Sequence, residues 1–333
     1  MDFPPNKKRS QSNAATQVFL PDELIALILS FLTVKIITKF RCVSKSWNTL
    51  ISDPIVTQMH LQKSSLNPQL ITKYTEPNTI VVSLRSLLKN PSISVAIDTF
   101  RCPIRGLGKV VSSCNGLLCL RFKSVLITTH TEYQFYVWNP ATRTISEKLG
   151  LVCDKKPLVD TSLVDTFKFN FGCDYLTGIY KVVALYTKRN KDREIENEGL
   201  WVSKVKVFNL GDNYWRTILS LPSVPLQEND GVHLSGTVNW LSIHGDYGTI
   251  YVGKIFKASI ARVNQFFIVS VDLSTETDTR LLLPTGFDEV PYVEPSLRVL
   301  MDCLCFSHDY KRTEFVIWQM KEFGVPRVLD SVI

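Results

Sequence analysis

Residues 19–61, FLPDELIALILSFLTVKIITKFRCVSKSWNTLISDPIVTQMHL, constrain this chain more than any other stretch, because they carry more apolar side chains than so short a segment can bury by itself. Pro21 suits a first helical position, where a missing N–H does no harm, and Asp22 and Glu23 put negative charge at the positive end of the helix dipole. A helix is therefore expected to start at Pro21 or Asp22. From Leu24 to Leu32 every residue except Ser30 is apolar, so Leu24, Ile28 and Phe31 share one face and Ile25, Leu29 and Leu32 another, which predicts burial nearly all round. A transmembrane span is excluded, since nine such residues at ~1.5 Å rise cover less than half of a ~30 Å hydrocarbon core.

A second helix is expected from about Val34 to Val43, with Thr33 placed to cap it and Lys35, Lys39 and Arg41 on its wet side. A third, from Ser44 to Ile51, carries Trp47, Leu50 and Ile51 before Ser52, Asp53 and Pro54 stop it. Three helices in about forty residues make a bundle too small to cover its own apolar side chains. Periodicity alone leaves two covers open: a helical hairpin packed on the downstream domain, or a protein partner.

The motifs favour the partner. LPDELIALILSFL, FRCVSKSW and LISDP, at this separation, resemble the F-box of plant F-box proteins over the whole segment. The resemblance implies a three-helix module that docks on a Skp-type adaptor and, through it, on cullin and RING subunits of a ubiquitin ligase. It places Leu20, Pro21, Leu24 and Ile28 on the adaptor, together with Leu32, Phe40, Val43 and Trp47. Thr33 stands where the family often has proline, and Val56 where it often has phenylalanine.

With 333 residues, 45% of them hydrophobic, the chain is long enough for one small and one large domain. Its net charge of +7 is spread thinly and shows no basic stripe interleaved with aromatics, so neither a nucleic-acid nor a membrane partner is expected. The eight cysteines form no CxxC pair and most lie in apolar runs such as GLLCL and DCLCF, which predicts buried free thiols. Residues 1–17 are polar and carry no secretory signal, so a reducing compartment, cytoplasm and/or nucleus, is the expected location. Lys7, Lys8 and Arg9 read either as solubilising charge or as a nuclear signal.

Beyond the module, segments rich in β-branched and aromatic residues recur at 79–84, 93–99, 116–122, 133–138, 179–186, 201–208, 236–243, 266–273, 303–306 and 314–319. A weak repeat runs through them. A short apolar strand (GLLCL, GTVNWL, DCLCF) leads to a strand of the type FYVWNP, VKVFNL, IVSVDL or FVIWQM, then a polar turn and a further strand. Trp138, Phe208, Val271 and Trp318 correspond, at separations of 70, 63 and 47 residues, a spacing that suits four-stranded propeller blades with insertions in loops. SCNGLLCL, WNPATR, FGCDYLTGIYKVV, VFNLGDNYWRTI and VDLSTETDTRLLLP resemble the F-box associated region of the same plant family, some of whose members are described as kelch proteins. No Gly-Gly pair of the kelch signature is present. Relatives usually continue past the stretch resembling KEFGV, so the expected fold is mainly β after a small α bundle, with a propeller-like array short of blades and Cys305, Phe315 and Ile317 on an exposed edge. The expected divisions are a disordered tail (1–17), the F-box helical module (18–61), a connector (62–78) and the F-box associated β domain (79–333). The mixed-charge run at 187–199 reads as a solvated hairpin end, or as a tip that touches a substrate.

The residues give little sign of chemistry. The five histidines show no ligand spacing, no GxSxG elbow is present, and RGLGK at Arg105 has Pro103 and Val110 where a phosphate loop needs glycine and a hydroxyl residue. Cys42 lies mid-pattern among apolar neighbours, where a thiol is normally inert. No metal, cofactor or catalytic residue is expected, and the chain is not expected to be an enzyme. The expected role is that of substrate-recognition subunit of an SCF-type E3 ubiquitin ligase, holding an unknown target protein on the β domain for ubiquitination and proteasomal degradation. An adaptor-binding decoy with a non-recruiting β domain, and a propeller lectin or enzyme carrying a helical bundle, remain as alternatives.

Overall fold

A computed structural model describes residues 20–65, 69–75, 78–83, 89, 98–101, 108–126, 130–154, 167–189, 201–212, 214–226, 230–244, 251–252, 255–256, 261–300, 302–311, 314–320 and 329–331. The expectations for residues 1–17, for the KEFGV segment and for most of the 187–199 run lie outside the described residues.

The chain forms two units, one helical and one built on sheets. In the helical unit, α1 (Asp22–Ser30), α2 (Val34–Phe40) and α3 (Lys45–Ser52) stand close to the expected positions, and α4 (Pro54–Ser65) follows. The fourth helix is a correction. Pro54 stops α3 but is also favoured at a first helical position, and the Asp53 carboxylate accepts the Ile55 N–H at 2.7 Å, so one Ser-Asp-Pro triplet ends one helix and starts the next. Ser44 caps α3 by accepting the Trp47 N–H at 3.1 Å, whereas Thr33 precedes α2 without a side-chain cap bond. The expected connector at 62–78 is likewise structured in part, since α4 runs to Ser65 and β1 (Gln69–Thr75) lies within it. Among the described residues no helix is long and apolar enough to cross a membrane.

Strand β1 forms a three-stranded sheet with β2 (Asn78–Ser83) and β3 (Asp98–Arg101). Four larger antiparallel sheets follow in chain order. The first has the order β4 (Lys109–Cys114), β5 (Leu117–Leu126), β6 (His130–Asn139), β7 (Thr144–Ile145), with β8 (Leu149–Asp154) also on β6. The second runs β9 (Phe167–Cys173), β10 (Tyr180–Arg189), β11 (Trp201–Asn209), β12 (Arg216–Leu221). In the third, β13 (Val224–Pro225) and β14 (Val232–Leu234) both pair with β15 (Thr237–Ile243), and after the hairpin of β16 (Tyr251–Val252) and β17 (Ile255–Phe256) it continues with β18 (Phe266–Asp272) and β19 (Asp278–Leu281). The fourth is β20 (Ser296–Leu300), β21 (Cys303–Tyr310), β22 (Glu314–Met320), β23 (Leu329–Ser331).

The repeat read from sequence is this sheet pattern: Trp138, Phe208, Val271 and Trp318 lie on β6, β11, β18 and β22, the third strand of each sheet. The first strands gather together, with β14 against β4, β9 and β20, as inner strands of a propeller-like array do. The core lies between sheets. Phe135, Phe169 and Phe208 belong to one buried cluster, Val183, Trp240 and Val271 to a second, Leu241, Phe266 and Phe306 to a third.

The exposed edge expected at the C-terminal strands is not where the sequence put it. Cys305 is buried in β21, flanked by β20 and β22, and β23 lies outside β22; Phe315 is exposed and Ile317 half-buried. Strands β2 and β3 pair with each other.

Candidate functional site

The helical unit has a small core, formed by Ala26 and Leu29 of α1, Ile51 of α3 and Val56 of α4. Two hydrogen bonds lock its corners: the His60 ring Nε2 lies 2.8 Å from the Leu32 carbonyl oxygen, and the Arg41 Nε donates to Asn48 at 2.9 Å. This inward face uses positions 26 and 29. The apolar positions Leu24, Leu27, Ile28 and Phe31 follow the i, i+3, i+4, i+7 pattern of a single helical stripe, and all four are exposed. The expectation that α1 is buried nearly all round is therefore corrected for the chain by itself.

Of the eight residues the F-box resemblance assigned to the adaptor, Leu20 (55%), Leu24 (47%), Ile28 (53%) and Val43 (62%) retain large exposed areas, and Pro21 is exposed as well. Leu32, Phe40 and Trp47 are half-buried. The Trp47 ring meets Phe40 edge-on, with centroids 5.3 Å apart and planes at 82°, so this pair supports the module's own packing as well as presenting surface. Sequence reasoning omitted Leu27, Ile36 and Ile55, which are also exposed. The helical spacing from Leu24 held the signal for Leu27; Ile55 depended on a helix that was not anticipated.

Two cysteines depart from the buried reading. Cys42 lies exposed in the turn after α2, and Cys153 is exposed on β8. Cys114 and Cys119 are buried, and burial pushes both thiols up to about 12, which keeps them protonated.

In the β unit, Lys181 is buried and lies 3.5 Å from Asp174 and 3.1 Å from Glu276, and it donates to the Leu273 carbonyl; Arg216 adds a double contact to Glu276. Burial tends to raise the Asp174 carboxyl, but hydrogen bonds from the Ser274 and Thr177 hydroxyls and the Thr177 and Leu176 N–H groups outweigh it and hold the group well below the usual carboxylate range. Every charge in this network has a partner, and it ties β10 and β12 of the second sheet to the β18–β19 turn of the third. Among the described residues no group of three or more His, Cys, Asp or Glu side chains is placed to share a metal ion.

Comparison with known families agrees with both units. The F-box domain family matches residues 19–58, and the F-box associated beta propeller domain family matches residues 81–329. The chain belongs to the F-box proteins that carry an F-box associated beta propeller domain. An F-box/kelch-repeat protein of Arabidopsis thaliana is 27% identical over 320 residues, 92% of this chain and 76% of the relative. An F-box protein of the same plant is 27% identical over 334 residues, 94% and 90% of the two chains, and a putative F-box protein is 28% identical over 315 residues, 90% of this chain but 59% of its own length. Solved structures of apocarotenoid oxygenase variants from Synechocystis overlay with a TM-score of 0.38 at 10% identity, over 79% of this chain and 57% of theirs, a likeness too loose to carry an argument.

Proposed function

We propose that this protein is the substrate-recognition subunit of an SCF-type ubiquitin ligase, docked on a Skp-type adaptor by its helical unit and holding a target protein on its β domain, in the cytoplasm and/or nucleus. The supporting observation is the uncovered stripe of α1, with Leu20 and Val43 exposed as well, apolar surface of the kind that marks a protein-interaction site. Ubiquitin transfer is then carried out by other subunits. The chain contributes proximity: a target lysine held beside a charged conjugating enzyme meets it at a high effective concentration instead of by free diffusion.

The test is co-purification of the full chain with a Skp-type adaptor. Leu24→Asp and Ile28→Asp are expected to weaken binding by about 2 to 5 kcal/mol, because each buries an unpaired charge in the complex, while Lys35→Ala leaves it unchanged. Trp47→Ala is expected to weaken binding and also to lower the melting temperature of the helical unit, since Phe40 loses its ring partner. Equal retention of wild type and Leu24→Asp refutes the docking face. Adaptor binding without any effect of the protein on target lifetime, with the proteasome active, makes it a decoy.

A further inference from the structure

The four inner hairpins of the β unit are unequal. The β4–β5, β14–β15 and β20–β21 connections have two residues each, while the β9–β10 connection has six, residues 174–179. Asn115 and Gly116, Ser235 and Gly236, and Asp302 turn through left-handed backbone, which keeps those three hairpins short. The longer β9–β10 loop carries Tyr175, Leu176 and Ile179 exposed; Leu176, at 83%, has the largest fractional exposure of the large hydrophobic side chains described.

This loop is held stiffly for something so apolar. The buried Asp174 carboxylate accepts the Leu176 N–H at 2.9 Å, the Thr177 N–H at 3.3 Å and the Thr177 hydroxyl at 2.8 Å, as well as the Ser274 hydroxyl. The Asp174 N–H donates to the Ile179 carbonyl at 2.9 Å and the Gly178 N–H to the Asp174 carbonyl at 2.8 Å. An exposed apolar group on a pre-ordered loop loses little entropy on binding, which is the property of an interface anchor.

The neighbouring turns join the same surface. A side chain at Gly236 would touch the Tyr175 ring, and Asn115 donates to the Tyr180 hydroxyl at 3.2 Å. Strand β14 packs against both β9 and β20, the strands that lead into the turns of Tyr175 and Asp302, and burial pushes the Tyr175 hydroxyl up, with Cys114, Cys173, Tyr180 and Asp302 adding to the push. Among the described residues of the four turns, Asp302 is the exposed charge. An anionic partner is repelled there and a cationic side chain attracted.

We propose that this loop is where the chain seizes the protein it recruits: Tyr175 and Leu176 receive an apolar side chain of an extended target segment, and the Asp302 carboxylate receives a lysine or arginine beside it. This rests on the reading of the β domain as a recruiting module.

A phage library of random peptides panned on the full-length protein bound to adaptor tests both. The expected result is enrichment of peptides that pair an apolar residue with a neighbouring lysine or arginine, with affinity reduced about tenfold or more in Leu176→Asp. Asp302→Asn, which keeps a residue tolerant of left-handed backbone, is expected to remove the basic preference and leave the apolar one. Phe315→Ser, at an exposed aromatic on β22, is expected to change nothing. Adaptor binding and melting temperature, measured on each variant, establish that the fold is intact. Peptides that bind Leu176→Asp as well as wild type overturn the site while leaving recruitment by the β domain standing, acidic selected peptides overturn the role of Asp302, and a library with no enrichment counts against both recruitment and site.

Discussion

Gly172 shows how little space the inner strands leave. A methyl group there would meet the His233 ring and the Leu273 side chain, both packed against the β9 backbone. Gly172→Ala is expected to destabilise the β unit by about 1 to 3 kcal/mol, as overpacking of a filled core does, read as a lower urea midpoint with unchanged slope. A midpoint equal to wild type would mean that the His233 ring moves aside freely. Nothing in FKFNFGC advertised this requirement. The same strand holds Asn170, fully buried, whose amide donates to the Gly231 carbonyl and whose oxygen accepts the Phe171 N–H at 2.7 Å. A buried asparagine is stable only with such partners, and partners distant in sequence are invisible to periodicity. The strand itself was legible, since Phe167, Phe169 and Phe171 alternate with Lys168 and Asn170; only the partners that make Asn170 tolerable there were hidden.

At the scale of elements, the β18–β19 turn is fastened to the second sheet by charge. The Arg216 hydrogen bonds lower the Glu276 carboxyl, burial opposes them, and Lys181 assists them; Asp174 is lowered as well. Both carboxylates have folded values below their unfolded ones. Their stabilisation is therefore complete above the ordinary carboxylate range and is lost as the pH falls below about 4. Urea midpoints measured downwards from about pH 6 should drop on this limb, and Glu276→Gln should make the drop shallower while lowering the midpoint at neutral pH. Parallel acid limbs for the two proteins would show that the contacts around Glu276 contribute nothing. The Ser-Asp-Pro triplet teaches a related lesson: Pro54 was legible as a stop, but its role as a start required seeing Asp53 turn its carboxylate onto Ile55.

For the whole molecule, the last sheet is the informative case. Strands β21 and β22 were legible from CLCF and FVIW, but β20 and β23 were not, and without them the pair looked like an unsupported end. With both flanks occupied, limited proteolysis should cut within residues 303–320 no faster than within residues 237–281. Preferential cutting there would restore the open edge. The short strand Ser296–Leu300 escaped because its sequence, SLRVL, places a single fully buried residue, Leu297, against β21. A strand whose neighbours supply most of the burial leaves little periodic trace of its own.

The sequence by itself determined the register of α1, the places of the first three helices, the repeat that puts Trp138, Phe208, Val271 and Trp318 on equivalent strands, and the family motifs. Each of these depends on spacing along the chain, which local sterics and hydrogen bonding convert directly into faces and turns. Only the tertiary structure decided which face is covered. Ala26 and Leu29 of α1 found Ile51 and Val56, while Leu24, Leu27, Ile28 and Phe31 stayed largely in water. Spacing says which side chains share a face, but burial depends on what packs against that face, and for this helix the described residues supply a partner to one side alone.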